Sequence, residues 1–288
     1  MKESTPLVTV YITTFNRINL LERAVTSVRN QTYSNIEIIV ADDGSTDGSR
    51  EFLEEMEKKG YLKATINTSG NSKGACFGRN NAISMAKGEF ITGLDDDDYF
   101  EEWRVETFIT RWKALHDSNK LEGVSGLFDS VMEIRPDGKH KYNETVRSNY
   151  LQLRRRNYIG NQVFTPTKYL KEIGGFDEEM PALQDWETWL RLSKRHGELI
   201  NVMQYSYIID QSHGEVRISE KKSEKIRLAF SLLSIKLTPL TWREKVTHLE
   251  SLYAYKQLGI KWSELIFLAL NFKFRRVAQV LKRQSLNA

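Results

Sequence analysis

The chain has 288 residues, 40% of them hydrophobic, which is ample for a real core, and no apolar run reaches the length of a membrane span. A single cysteine, Cys76, excludes an intrachain disulfide and is most simply a packing residue; five scattered histidines exclude a zinc cluster, and both features fit a reducing compartment. The net charge of +4 is uneven: residues 220–288 hold 14 Lys and Arg against 5 Glu, so the first 219 residues are net acidic. In chain order, Leu7–Thr13 is a β-rich run, and Asn19–Arg29 carries Leu20, Leu21, Ala24, Val25 and Val28 at helical spacing. Ile36–Ala41 is a second apolar strand, followed by a helix marked by Phe52, Leu53 and Met56. Leu62–Asn67 is a weaker strand, a helix runs through Ala82, Ile83 and Ala86, and Phe90–Leu94 is a fourth strand. Strands alternating with helices predict a mostly parallel α/β sheet with right-handed crossovers.

From Glu101 to Leu115 the pattern is helical, and then it changes. Gly123–Ile134 and Tyr142–Val146 predict a hairpin around the Asp137-Gly138 turn, so this half is mixed rather than parallel. Strands are predicted over Ile159–Pro166 and Leu199–Ile209, and helices over Lys168–Ile173 and Asp185–Arg195, with Gly174-Gly175 as a loop between them. Beyond Glu220 helical segments dominate, near 221–236, 241–257, 261–270 and 272–284. The expected division is therefore 1–219 as an α/β domain and 220–288 as a basic helical region. The polar start Met1-Lys-Glu-Ser-Thr-Pro predicts no secretory signal and a cytoplasmic protein.

Polar groups collect where strands end: Thr13-Thr14-Phe15-Asn16-Arg17, Asp42-Asp43-Gly44-Ser45, and Asp95 to Asp98. In a parallel sheet these ends share one edge, so they converge on one crevice. Four consecutive carboxylates repel and raise one another's proton affinity, and a hard divalent cation relieves this; an acidic turn capping the next helix is the alternative. Asp42 and Asp43 either close an ordinary Asp-Gly turn or accept hydrogen bonds from a nucleotide's base or ribose. The segment Asn71–Ile83 is either a loop and helix start or a way of bringing Lys73, Arg79 and backbone N–H groups to a diphosphate; it lacks the spacing of a Walker loop or a dinucleotide fingerprint. Asp185 is either a first-turn acid or a general base beside Trp186, whose face suits a sugar ring. His213 is either structural or a ligand.

Four segments, Val8–Arg17, Ile39–Asp47, Gly88–Asp98 and Gly174–Asp177 with Gln184–Leu192, resemble together the family 2 glycosyltransferases of the GT-A fold, over about residues 6–219. The resemblance implies an inverting, metal-dependent transfer from a nucleotide diphosphate sugar, with a UDP-sugar as donor. It implies that Thr13, Asn16, Arg17, Asp42, Asp43, Lys73 and Arg79 line the nucleotide site. The family's Asp-x-Asp motif falls on Asp95, for the ribose, and Asp97, for Mn²⁺ or Mg²⁺, with Asp98 as a less defined helper. Asp185 takes the place of the base, with Gln184 where the family commonly has a first acid, and His213 matches a histidine that assists the metal or diphosphate.

The basic tail mixes Leu, Phe and Trp with Lys and Arg, which predicts peripheral contact with an anionic membrane and no nucleic-acid partner; a helical lid or dimer surface is the alternative. A membrane-bound position implies a saccharide acceptor linked to a polyprenyl diphosphate, as in bacterial surface-polysaccharide synthesis. Two rival functions remain at this stage. A non-catalytic nucleotide-sugar or glycan-binding module need not keep Asp95, Asp97 and Asp185 together. A nucleotidyltransferase would need a glycine- and arginine-rich phosphate loop near the N-terminus, which is absent.

Overall fold

The computed structural model describes residues 5–142, 144–160, 162–212, 223–255 and 258–285. They form β1 (Val8–Thr14), α1 (Ile18–Arg29), β2 (Ile36–Asp42), α2 (Ser49–Lys58), β3 (Lys63–Ile66), α3 (Ala75–Met85), β4 (Phe90–Asp95), β5 (Tyr99–Phe100) and α4 (Arg104–Asp117). Next come β6 (Val124–Phe128), β7 (Val131–Arg135), β8 (Gly138–Tyr142), β9 (Arg147–Ser148), α5 (Tyr150–Leu153), β10 (Thr165–Pro166), α6 (Thr167–Glu172), α7 (Gln184–His196), β11 (Glu198–Asn201) and β12 (Tyr207–Asp210). Four helices close the chain: α8 (Ser223–Lys236), α9 (Trp242–Leu252), α10 (Trp262–Leu270) and α11 (Phe274–Ser285).

Two compact units result. The first is organised by a five-stranded sheet in the order β10-β4-β1-β2-β3, parallel except for β10 at its edge. Val10, Ile12, Val40 and Leu94 from these strands pack with Leu21 and Val25 of α1 and Phe108 of α4 in one apolar core. Near-continuous apolar strands are what a sheet covered on both faces requires. Smaller sheets, β6-β11-β9 and β5-β12-β7-β8, make up the mixed half. Tyr11 and Gly93 face each other in the β1–β4 register, and a Cβ on Gly93 would lie 2.4 Å from the Tyr11 ring. Glycine is thus what lets that ring lie across β4.

The mixed half departs from the sequence pattern in four places. The run expected as one strand over Gly123–Ile134 is two, β6 and β7 in different sheets, because Asp129 accepts hydrogen bonds from the N–H of Ser130 (2.9 Å) and the N–H of Ser206 (2.7 Å) and turns the chain. Leu199–Ile209 likewise splits into β11 and β12: Asn201 Oδ1 accepts the N–H of Met203 at 2.7 Å, and Met203 sits at φ 59°. Local side-chain acceptors of this kind compete with ladder hydrogen bonds. Of Ile159–Pro166 only Thr165–Pro166 pairs with β4, beside a single Leu127–Phe164 bridge. A hairpin forms as expected, but its turn is Pro136-Asp137, with Gly138 at φ 132° paired to Arg135, and its second arm is β8 over Gly138–Tyr142 rather than Tyr142–Val146.

The second unit contains Leu151–Asn157, Glu179–Gln184 and the C-terminal helices. Its core is Val246, Tyr253, Leu265, Leu268 and Val280. Thr241 and Glu244 form a capping box at the start of α9, and Glu244 also binds Arg154 Nε at 2.7 Å. Those hydrogen bonds, Arg154's foremost, hold the Glu244 carboxyl down to about 2. Among the described residues no helix is long and apolar enough to cross a membrane.

Candidate active site

The parallel register brings three strand ends level: Thr13 pairs with Ala41 on one side and Asp95 on the other, and Thr14 pairs with Asp42. The polar turns that follow are therefore neighbours on one edge of the sheet. The turn after β1 is tied to the turn after β2 by Asn16, which sits at φ 54°, donates its N–H to Ser45 Oγ (2.8 Å) and accepts the N–H of Thr46 on Oδ1 (2.7 Å). Asp47 accepts the N–H of Ile18 at 2.9 Å and so satisfies one of the open donors at the start of α1.

Both acids after β2 are engaged within the chain. Buried Asp42 accepts the N–H and hydroxyl of Ser45. Asp43 accepts the amide of Asn67 (2.9 Å), the N–H groups of Lys73 and Gly74 (2.8 Å each) and the hydroxyl of Ser72. Burial works to raise its pKa, but these donors outweigh it and hold the carboxyl below its ordinary value. A cavity of about 260 Å³ opens beside them, lined among others by Asp42, Asp43, Ile66, Asn67, Lys73 and Phe77. The Lys73 ammonium lies 4.4 Å from the centre of the Phe77 ring. Gly78 brings α3 close to these strand ends, since a Cβ there would stand 3.2 Å from Ala41 Cβ and 3.4 Å from Thr13 Cγ2.

The acidic turn after β4 is buried at Asp96, Asp97 and Asp98, while Asp95 is partly open. The four acids are held by different parts of the chain, with Asp96 and Asp97 sharing one partner. Arg79, buried on α3, binds Asp95 Oδ1 through Nη2 at 2.8 Å, lies over the Phe176 ring at 5.0 Å, and places Nη1 3.5 Å from Asp185 Oδ1. Arg17 Nη1 is 3.1 Å from Asp96 Oδ1 and 3.2 Å from Asp97 Oδ2. Asp98 Oδ1 accepts the N–H of Asp210 at 3.2 Å, and Arg23 joins Asp210 to the turn by donating to the Asp97 carbonyl at 2.7 Å. Burial pushes Asp96 up to about 7; Arg17 opposes that rise and the Asp97 charge adds to it.

Asp185 opens the first turn of α7, where a carboxylate is favoured by the helix dipole. Its Oδ1 has no hydrogen-bond partner. Burial raises its pKa, Arg79 lowers it, and Asp95 raises it further. The Tyr11 hydroxyl donates to buried Gln162 Oε1 at 2.8 Å, and burial raises the Tyr11 pKa against the pull of Arg79, so this phenol stays protonated.

The sequence-predicted residues thus gather in two places: Asp42, Asp43 and Lys73 at the cavity, and Arg17, Arg79, Asp95, Asp97 and Asp185 around the acidic turn. Trp186 is 2% exposed and packs as a core residue. His213 lies outside the described residues. Sequence reasoning passed over Arg23, Tyr207 and Asp210. The Tyr207 hydroxyl accepts the N–H of Asp95 at 3.3 Å. Asp210 had a detectable signal, an acid directly after the apolar run of β12, as at the other strand ends. Among the described residues no three His, Cys, Asp or Glu side chains form a complete metal cage. A buried carboxylate pair with surplus negative charge still suits a hard cation that takes its remaining oxygens from water and phosphates, which is how Mg²⁺ is commonly held.

The model of the family described as Glycosyl transferase family 2 matches residues 9–172. WcaA of Escherichia coli (strain K12), provisionally named a colanic acid biosynthesis glycosyl transferase, is 33% identical over 85% of this chain and 94% of its own length. The GalNAc(5)-diNAcBac-PP-undecaprenol beta-1,3-glucosyltransferase of Campylobacter jejuni is 26% identical over 78% of this chain and 72% of its own. Among solved structures, S. aureus TarS 1-349 in complex with UDP superposes with a TM-score of 0.61 at 19% identity, over 88% of this chain and 72% of that one. A mannosyltransferase from Pyrobaculum calidifontis in complex with GDP-Man and Mn²⁺ gives 0.56 at 18% identity, over 97% and 84%. At those identities the two structures establish the shared GT-A fold, while the family match and the WcaA identity establish kinship. With its strand-end turns and their acids in this arrangement, the chain belongs to glycosyl transferase family 2.

Proposed function

We propose that this enzyme moves a sugar from a nucleotide diphosphate sugar, UDP-linked, to a hydroxyl of a lipid-linked saccharide, inverting the anomeric centre and using Mn²⁺ or Mg²⁺. The observation that carries the reading is the meeting of Asp95 and Asp185 on the buried guanidinium of Arg79, which brings the strand-end turn and the first turn of α7 to one point. Asp185, whose side chain is 35% exposed, receives the acceptor proton as that hydroxyl attacks opposite the departing diphosphate. Single displacement inverts the centre, so an α-linked donor gives a β-linkage. Asp95 meets the ribose, and the 260 Å³ cavity beside Asp42, Asp43 and Lys73 takes the base. Thr13, Asn16, Arg17 and Arg79 complete the nucleotide side, and His213 assists the diphosphate. Asp97 would hold the divalent cation, which when bound offsets the charge growing on the leaving diphosphate.

The UDP and the GDP-Man with Mn²⁺ in the two structural relatives support the donor class and the metal. Colanic acid and the undecaprenol-linked saccharide, named for the two sequence relatives, support a lipid-linked acceptor in synthesis of a bacterial surface polysaccharide such as O-antigen or capsule. The test is calorimetric binding of a panel of nucleotide sugars with and without Mn²⁺. One UDP-sugar is expected to bind at least tenfold tighter with metal, and Asp97→Asn to abolish that gain. Binding indifferent to both chelator and Asp97→Asn would remove the metal from the reading.

The C-terminal unit supplies the membrane contact and places the enzyme at the inner face of the cell membrane. Helix α10 buries Leu265 and Leu268 and exposes Trp262, Ile266 and Leu270, spaced i, i+4, i+8; exposed Phe272 and Phe274 continue the apolar surface. Arg243, Lys261 and Arg275 are exposed on the same unit, and each basic side chain near an anionic bilayer contributes about 1 kcal/mol. In flotation with phosphatidylglycerol-containing vesicles, the protein should rise with the lipid, and Trp262→Ser/Ile266→Ser/Leu270→Ser should cut recovery several-fold. Equal recovery of the two proteins would leave the apolar stripe without this role.

A further inference from the structure

The acidic turn is already neutralised in part by a side chain from the turn after β1. Arg17 Nη1 lies within 3.2 Å of both Asp96 Oδ1 and Asp97 Oδ2, and its side chain is only 12% exposed. Its backbone is held on either side: Asn16 is bonded to the Ser45–Thr46 turn, and the N–H of Ile18 is bonded to Asp47. The other two arginines at the turn are committed elsewhere, Arg79 to Asp95 and Arg23 to Asp210 and the Asp97 carbonyl. Arg17 is therefore the guanidinium that stands on the carboxylate of Asp97, where the proposed reaction needs a metal ion.

We infer that Arg17 is an exchangeable counter-ion that occupies Asp97 in the donor-free enzyme and releases it to a divalent cation only when a nucleoside diphosphate arrives to take the guanidinium. The inference rests on the metal-dependent reading above and adds an order to it. A guanidinium and a divalent cation cannot share Oδ2 of Asp97 without strong repulsion, so metal alone competes with Arg17 and binds weakly. A diphosphate offers Arg17 the paired oxygens that its planar fork fits, and it offers the metal its missing ligands. Metal and diphosphate then strengthen each other's binding, and by linkage the factor is the same in both directions. The consequence is an enzyme that stays free of bound metal until a donor is present.

The test uses Mn²⁺ titrations followed by electron paramagnetic resonance, with and without UDP. In the wild type, UDP should raise Mn²⁺ affinity at least tenfold. Arg17→Gln should bind Mn²⁺ alone at least tenfold tighter than wild type and lose most of the UDP enhancement, while Arg17→Lys, which keeps a cation but not the planar fork, should bind Mn²⁺ alone as wild type does and show a smaller UDP enhancement. A second readout needs no disruptive variant: the NMR signal of the Arg17 side-chain Nε–H, assigned through Arg17→Lys, should move with Mg²⁺ plus UDP and stay in place at the same Mg²⁺ concentration alone. If wild type binds Mn²⁺ with UDP but Arg17→Gln shows no gain without it, or the Arg17 signal ignores Mg²⁺ plus UDP, the exchange is refuted and the metal reading stands. If wild type takes up no Mn²⁺ even with UDP, both fall together.

Discussion

Asp185→Asn is expected to lower the rate of sugar transfer by about 10²- to 10⁴-fold while leaving donor affinity within about twofold of wild type. Asparagine keeps the shape of the side chain and removes only its capacity to take a proton. The acid lies at the start of α7, and Arg79, 3.5 Å from its Oδ1, keeps its ion pair with Asp95 when Asp185 is made neutral. The pH dependence follows from the same surroundings. A base works only when ionised, and burial lifts the Asp185 pKa against the pull of Arg79, so transfer should fall on acidification at a pH above the ordinary carboxylate range. Arg79→Met removes the charge that lowers this pKa and should move the acid limb further up. Isothermal calorimetry with the donor and a pH–rate profile measure the two effects, and an Asp185→Asn enzyme transferring at the wild-type rate would exclude this residue as the base.

The largest stability effect is expected behind the site. Arg104 and Asp129 form an ion pair at 3.3 Å in the core of the first unit, both of them buried. The guanidinium lies over the rings of Phe100, Phe108 and Tyr207 at 4.6, 4.5 and 5.3 Å and also donates to Ser206 Oγ at 3.0 Å. Burial lowers its pKa to about 10, against the opposing pull of Asp129, and burial likewise raises the pKa of Asp129. Asp129→Ala strands this cation among aromatic rings, and breaking a buried pair from one side costs about 3–5 kcal/mol. Arg104→Met should cost less, because Asp129 keeps the donors of Ser130 and Ser206. Urea unfolding followed by tryptophan fluorescence ranks the two. Equal losses would mean that the carboxylate depends on the guanidinium as much as the reverse. Since Tyr207 holds the N–H of Asp95, Asp129→Ala should also loosen the acidic turn and weaken donor binding.

Much of the first unit was legible in the chain. The strands β1, β2 and β4 and the helices between them follow from apolar periodicity, and a parallel sheet of apolar strands forces their polar C-terminal turns onto one edge. Those turns carry the family resemblance, which the match over residues 9–172 bears out. The mixed half was less legible, since Asp129 and Asn201 break apolar runs through hydrogen bonds that no periodicity reveals.

The pairing of charges belongs to the tertiary structure alone. The sequence marks Asp42, Asp43, Asp95 to Asp98 and Asp185 as acids at strand and helix ends, yet nothing local says that Asp42 and Asp43 spend their hydrogen bonds within the chain or that Arg79 stands between Asp95 and Asp185. Arg17 reaches its acid across 79 residues and Arg23 reaches Asp210 across 187. Propensity and periodicity act over a few residues. Which of many arginines meets which carboxylate is decided only when packing fixes the strand ends and brings α3 close to them, where Gly78 leaves room, so the division of four adjacent acids among Arg79, Arg17 and a backbone N–H appears only in the folded chain.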